Sequence, residues 1–251
     1  MSRLHATYIG GPTALLELDG LRLLTDPTFD PGGTDYPTPA YTLHKTQAPA
    51  IGAAEIGAVD AVLLSHDHHF DNLDTAGRAL LATAGAVYTT VAGAARLGAG
   101  ATGLAPWDEV RLGPTLRLTA TPGRHGPDGG DRGPVIGFLL TVADGPTIYV
   151  SGDTVWFEGV REVGARARVD VAFLNLGAAK VAVAGPSPLT LTAADAVLLA
   201  QAWPGTRIVP LHFEGWGHFS EGAEEVRAAF AAAGLADRLT WLAAGERTLM
   251  A

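Results

Sequence analysis

Ser65-His66-Asp67-His68-His69-Phe70-Asp71-Asn72-Leu73-Asp74 directly follows the apolar run VDAVLL at residues 59–64. The run reads as a short strand, and a helical pattern follows from about Asn72 to Ala84. Between them, three histidines and three aspartates fall within ten positions, a density that a solvated helix-entry loop rarely reaches. His66 and His68 sit two apart just past a strand end, so a sharp turn can point both into one cavity. Asp71 is expected at the start of the following helix, where the macrodipole favours a carboxylate. Neutral imidazole and carboxylate together suit a borderline divalent cation such as zinc.

Three further apolar runs end in the same kind of residue. LRLTATPGR (116–124) runs into His125, TIYVSG (147–152) into Asp153, and RIVPL (207–211) into His212. Loops beyond strand ends are where α/β proteins build ligand sites. Each of these residues has a plain structural reading: His125 as an exposed loop residue, Asp153 as a turn or cap, His212 as a core histidine between Leu211 and Phe213. Four strand ends that draw only on His and Asp point jointly to a metal site.

Outward from these runs the chain alternates strands and helices. Residues 3–25 read as three short strands, with turns at Gly10-Gly11-Pro12 and Asp19-Gly20. The segment from Asp26 to Pro49 carries Pro27, Pro31, Pro37, Pro39 and Pro49, and so reads as a long ordered loop or lid. Short strands and turns fill the middle, with a short helix near 91–97. In the second half, helices are predicted at about 156–167, 192–203 and 221–233. They interleave with strands at 169–176, 207–213 and 239–243. Thr190 or Thr192 suits the cap of the second of these helices, and Ser220 with Glu224 has the spacing of a cap for the third. Strands followed by helices in both halves predict two β-rich halves within one domain spanning 1–251. A four-layer αββα sandwich of the α/β class satisfies this pattern, because each sheet must bury both faces.

Composition removes several alternatives. The chain has 251 residues, and 17 Lys+Arg against 26 Asp+Glu give a net charge of −9. That balance disfavours nucleic acid, whose phosphates require basic side chains. There is no cysteine, which excludes disulfides, thiolate metal sites and cysteine nucleophiles. The first twenty residues lack a basic region followed by an apolar core, and no apolar stretch approaches the roughly 20 residues of a membrane span. A soluble, cytoplasmic protein with no membrane partner is expected.

The order of these segments resembles the metallo-β-lactamase fold superfamily of metal-dependent hydrolases. The matching pieces are TDP at 25–27, SHDHHFDNLD at 65–74, His125, SGDT at 151–154 and PLHFEG at 210–215. The opening YIGGPTALLELDGLRLLTDP is similar to the branch of ascorbate-6-phosphate-lactonase-like proteins. The resemblance runs from about residue 5 to 245 and implies a dinuclear site between two sheets. By that resemblance His66, His68 and His125 hold the first metal, Asp153 bridges, and Asp71 and His212 hold the second. The sequence departs from the family pattern H-x-H-x-D-H in two places. One extra residue separates His68 from Asp71, and Asn72 stands where a second-metal histidine is expected. His69 is the neighbour able to swing in and compensate. Zn2+ is the first expectation, as one or two ions; an amide in place of an imidazole would suit the harder Mn2+.

The implied activity is hydrolysis, since a divalent cation lowers the pKa of its bound water from 15.7 to about 7. Asp71 would orient the water and accept its proton, and His218 is a candidate donor to the leaving group. Trp216, Phe213, Phe219, Trp107 and Trp156 are candidate pocket walls, and Arg124 and Arg132 are candidate anion contacts. The favoured substrate is a small ester, lactone or phosphate ester. The alternatives are a phosphodiesterase or nuclease-like hydrolase, and a non-catalytic metal-binding protein with a degraded second site. A homo-oligomer is expected from the resemblance only.

Overall fold

The computed structural model describes residues 3–250. Its first half runs β1 (Leu4–Gly10), β2 (Thr13–Leu18), β3 (Leu21–Thr25), β4 (Asp35–Pro37), β5 (Thr42–His44), α1 (Ala53–Ile56), β6 (Ala61–Leu63), α2 (Thr75–Leu80), β7 (Val87–Thr90), α3 (Val91–Leu97) and β8 (Ala101–Leu104). The second half runs β9 (Glu109–Arg111), β10 (Leu116–Pro122), β11 (Ile136–Val142), β12 (Thr147–Val150), α4 (Glu158–Arg166), β13 (Val171–Asn175), α5 (Ala193–Ala202), β14 (Arg207–Leu211), α6 (Ala223–Ala232) and β15 (Arg247–Leu249). One sheet has the order β15-β1-β2-β3-β6-β7-β8, the other β14-β13-β12-β11-β10-β9, and β4 pairs with β5 as a separate hairpin.

Residue alternation builds the layers. In β12 and β13, Ile148, Val150, Val171 and Phe173 face the first sheet, where they meet Leu4, Leu16, Leu23 and Leu63. Their neighbours Tyr149, Ala172 and Leu174 face outward against Val160 and Val163 of α4, Leu199 of α5 and Phe230 of α6. The outer face of the first sheet, through Leu15, Leu24, Val62 and Val87, meets Ile56 of α1 and Leu73. Strands buried on both faces need continuous apolar runs, which is why they stood out in the sequence. The expected αββα sandwich is the observed one.

Strand direction then gathers the site. β12, β13 and β14 are mutually parallel, and β10 runs the same way because each is antiparallel to β11. In the other sheet β3, β6 and β7 are parallel. The loops after β6, β10, β12 and β14, and the end of β13, carry His66, His125, Asp153, His212 and Asn175.

Several local expectations are corrected. The helix after the histidine loop begins at Thr75, with Asp74 as its N-cap accepting from the Gly77 amide at 2.8 Å. Asp71 therefore lies before the helix, and the macrodipole does not act on it directly. Thr192 caps α5 as expected, completing a box with Asp195. For α6 the cap is Gly222, whose amide donates to Glu225, instead of the Ser220–Glu224 pair. Residues 239–243 form no strand: only Leu239 bridges to Ile208, while Trp241 turns onto Phe213. The edge place beside β1 goes to β15, which residue patterning did not reveal. The Pro-rich segment contains the β4–β5 hairpin, whose Tyr36 and Leu43 pack on Trp216. Among the described residues no helix is long and apolar enough to cross a membrane.

Candidate metal centre

His66 follows β6 and is fully buried. Its orientation is set by a relay. Ser65 Oγ donates to Asp26 Oδ2 at 2.9 Å, so it accepts from His66 Nδ1, also at 2.9 Å. Asp26 Oδ1 takes the Ser65 amide at 2.6 Å, and Asn72 Nδ2 donates to Asp26 Oδ2 at 3.3 Å. With its proton on Nδ1, His66 presents the lone pair of Nε2 to the interior. Gly152 makes this junction possible: its φ is 58°, and a Cβ there would lie 2.6 Å from Ser65 Cβ.

His125 is held in the same manner. Its Nδ1 donates to the Leu189 carbonyl at 2.8 Å, leaving Nε2 as an acceptor that faces His69 Nδ1 at 3.1 Å and Asp153 Oδ2 at 3.8 Å. His66 Nε2 also faces His69 Nδ1, at 3.0 Å. Burial pushes the His66 ring well below its ordinary pKa. Burial, reinforced by neighbouring imidazoles, takes His69 down to about 3. Neutral imidazoles are the form that ligates a metal.

The other half of the cluster is carboxylate-rich. Asp153 Oδ1 contacts His212 Nδ1 at 3.0 Å and accepts from Asn175 Nδ2 at 2.8 Å. His212 Nε2 faces Asp71 Oδ2 at 3.7 Å, and His218 Nε2 lies 3.1 Å from that same oxygen. Burial would raise both Asp71 and Asp153, but His218 and His212 hold Asp71 well below the carboxylate range, and His212 does the same for Asp153. His212 moves the other way: burial lowers it, yet the two carboxylates carry it above its ordinary value. Its φ of 52° places it in the left-handed region, a conformation that costs on the order of 1 kcal/mol and is concentrated at functional sites.

These donors fit a cation. His66, His125 and Asp153 form one group of ligand atoms mutually within 4.8 Å, and Asp71, Asp153 and His212 form a second that shares Asp153. His66, His68 and His69 form a third. Among the described residues, Asp153 Oδ2 and His212 Nε2 are buried with no hydrogen-bond partner, which is costly for polar atoms unless an ion takes them.

Of the other residues singled out in the sequence, His218 stands at the centre through Asp71, and Phe219 lies edge-on to His212 at 4.8 Å. Trp216 packs on Tyr36 and under Lys45. Trp107 and Trp156 lie instead under Arg166 and Arg161 of α4, and Phe213 packs on Trp241. Arg124 lies over Phe157, and Arg132 offers its carbonyl to His68. A cleft of about 290 Å³ opens beside the centre, lined by Asp67, His68, His69, Phe70, Leu73, Arg78 and Arg96.

Sequence reading missed three parts: the Asp26–Ser65 relay, Asn175, and the buried Lys45–Asp74 ion pair at 2.8 Å. Asn175 had a usable signal, being a fifth strand end that closes on a polar residue.

Two sheets covered by helices, with a His/Asp cluster where their strands end, are the architecture of the metallo-β-lactamase fold. The model of the β-lactamase superfamily domain matches residues 21–213, and the chain belongs to that family. A UPF0173 metal-dependent hydrolase from Pyrobaculum aerophilum is 25% identical over 228 residues, 88% of this chain and 89% of that one. An uncharacterized protein of Mycobacterium tuberculosis is 42% identical over 73 residues, and the match spans only 19% of its length and 29% of this chain. Among solved structures, isothiocyanate hydrolase from Delia radicum gut bacteria is similar with a TM-score of 0.85 at 26% identity, covering 97% of this chain and 98% of that one.

Proposed function

We propose that this chain hydrolyses a small substrate at an electrophilic carbon, an ester or lactone carbonyl in the first instance. The observation that carries this reading is the pair of donor groups joined through Asp153. His66, His125 and Asp153, completed by a histidine of the 68–69 pair, would hold one ion; Asp71, Asp153 and His212 would hold a second. A divalent cation held there supplies an activated water at neutral pH and polarises the electrophile. Asp71 accepts the water's proton, and His218 Nε2, 3.1 Å away, orients that carboxylate. His218 spends its Nε2–H on Asp71, so donation to the leaving group would fall to its other ring nitrogen.

Three observations support a small carbon-centred substrate. The cleft volume suits a small molecule. Two of the nearby cations that could meet a phosphate are charge-paired, Lys45 with Asp74 and Arg96 with Asp67, and Arg78 donates to the Asp67 carbonyl. The net charge of −9 disfavours nucleic acid. A second reading is hydrolysis of an isothiocyanate to an amine and carbonyl sulfide by addition of one water. It is favoured by the likeness to isothiocyanate hydrolase along 97% of the chain.

The test is metal content per chain after purification without chelator, followed by initial rates on ester, lactone, isothiocyanate and phosphodiester panels. Bound transition metal with turnover of an ester, lactone or isothiocyanate supports the proposal. A metal-free protein that takes up none on dialysis overturns it, as does turnover confined to phosphodiesters.

A further inference from the structure

His68 and His69 are adjacent, and the two-residue spacing from His66 favours His68 as a ligand. Their side chains lie differently. His68 Nε2 points to the Arg132 carbonyl at 2.9 Å, and its Nδ1 lies 4.0 Å from Asp67 Oδ1. A Cβ on Gly133 would come within 2.9 Å of His68 Nε2, so the ring is wedged against the 126–133 loop. His69 turns inward, with Nδ1 3.0 Å from His66 Nε2 and 3.1 Å from His125 Nε2.

These three nitrogens are not satisfied as hydrogen bonds. His66 and His125 carry their protons on Nδ1, toward Ser65 and Leu189, so both Nε2 atoms are acceptors. One Nδ1–H of His69 cannot serve both along straight lines. Three imidazole lone pairs around one tetrahedral ion, at 2.0–2.1 Å from it, would stand about 3.3 Å apart. The two separations from His69, 3.0 and 3.1 Å, are close to that value.

We infer that His69, not His68, is the third imidazole ligand of the histidine-rich half of the centre, and that His68 is a positioning residue tying the 126–133 loop to it. The inference rests on the metal-centre reading above. It also relocates the extra residue of this loop: His69 precedes Asp71 by two positions, so the insertion falls between His66 and His69.

The chain has no cysteine, which allows a direct test. His69→Cys and His68→Cys are each loaded with Co2+ and compared with the native protein by absorption and elemental analysis. His69→Cys is expected to show thiolate-to-cobalt charge transfer in the near ultraviolet with native ion content, and His68→Cys to show none while keeping the native visible bands. As a second measurement, His69→Ala is expected to weaken the first ion at least 100-fold in a competitive chelator titration, with His68→Ala within 10-fold of native. Charge transfer in His68→Cys, or equal loss of the ion in both alanine variants, overturns the inference. If either cysteine variant fails to fold by circular dichroism, the alanine titration decides. A native protein that binds no Co2+ overturns the metal-centre reading itself, an outcome distinct from binding with the wrong cysteine responding.

Discussion

The two halves of the centre share Asp153 and differ in almost everything else. The histidine-rich half, around His66, His69 and His125, includes two rings whose far nitrogens are tied, His66 to Ser65 and His125 to the Leu189 carbonyl. Its lone pairs are therefore aimed before any ion arrives. The carboxylate-rich half has Asp71, Asp153 and His212, and there His212 is held between two acids. The first is a nitrogen-rich, preorganised donor set suited to a borderline divalent cation; the second is harder, and its imidazole is held between two carboxylates that also attract its protons. Preorganisation predicts unequal affinities, with the histidine-rich half filling first.

Asp153→Ala should remove the contrast altogether, because both groups lose a member. The expected result is loss of both ions and a fall in turnover of about 1000-fold or more, as several kcal/mol of Lewis-acid stabilisation disappears. Elemental analysis showing an ion retained at full occupancy would refute the sharing. Asp71→Ala should separate the halves, taking the content from two ions toward one and leaving the affinity of the first within a few-fold. If the first ion leaves instead, the halves are not arranged as described.

Asn175→Ala probes the frame. Asn175 Nδ2 fixes Asp153 Oδ1 at 2.8 Å from a buried position on β13. An outer partner of this kind is worth about 10–100-fold in metal affinity. Competitive titration should find that loss in both halves, since Asp153 belongs to both donor groups. A loss confined to one would show that Asp153 does not bridge.

Much of this architecture was legible in the sequence because parallel strands buried on both faces leave long apolar runs, and each run stops at its functional residue. Ile148 to Val150 followed by Asp153 is readable for that reason, as is Leu63 followed by His66. What was not legible depends on partners distant in sequence. β15 is an edge strand of three residues whose identity comes from pairing with β1, across more than 230 residues. Trp107 and Trp156 look like pocket walls by composition, yet each is taken by an arginine of α4. Spacing favours His68 over His69, but a loop can present either; the carbonyl of Arg132 and the lone pairs of His66 and His125 decide between them.

The smallest expected effect is also the most specific to this chain. Asn72 is fully buried next to Asp71 in the chain; its Nδ2 donates to Asp26 Oδ2, and its Oδ1 has no hydrogen-bond partner among the described residues. Burial and the charge of Asp153 raise the Asp26 carboxyl to about 7, although Ser65 and Asn72 partly offset them. A histidine at position 72 could keep one N–H on Asp26 and turn its other nitrogen toward Asp71 and His212, the carboxylate–histidine–metal arrangement that raises ligand basicity. Asn72→His should therefore tighten the second ion by at least the roughly 10-fold that an outer-shell partner is worth. The larger ring should cost the metal-free form about 1–3 kcal/mol through overpacking. Paired chelator and denaturant titrations separate the two effects. A folded variant with unchanged second-ion affinity would mean that position 72 does not face the carboxylate-rich half, and the hardness of that half would then rest on Asp71 and Asp153 alone.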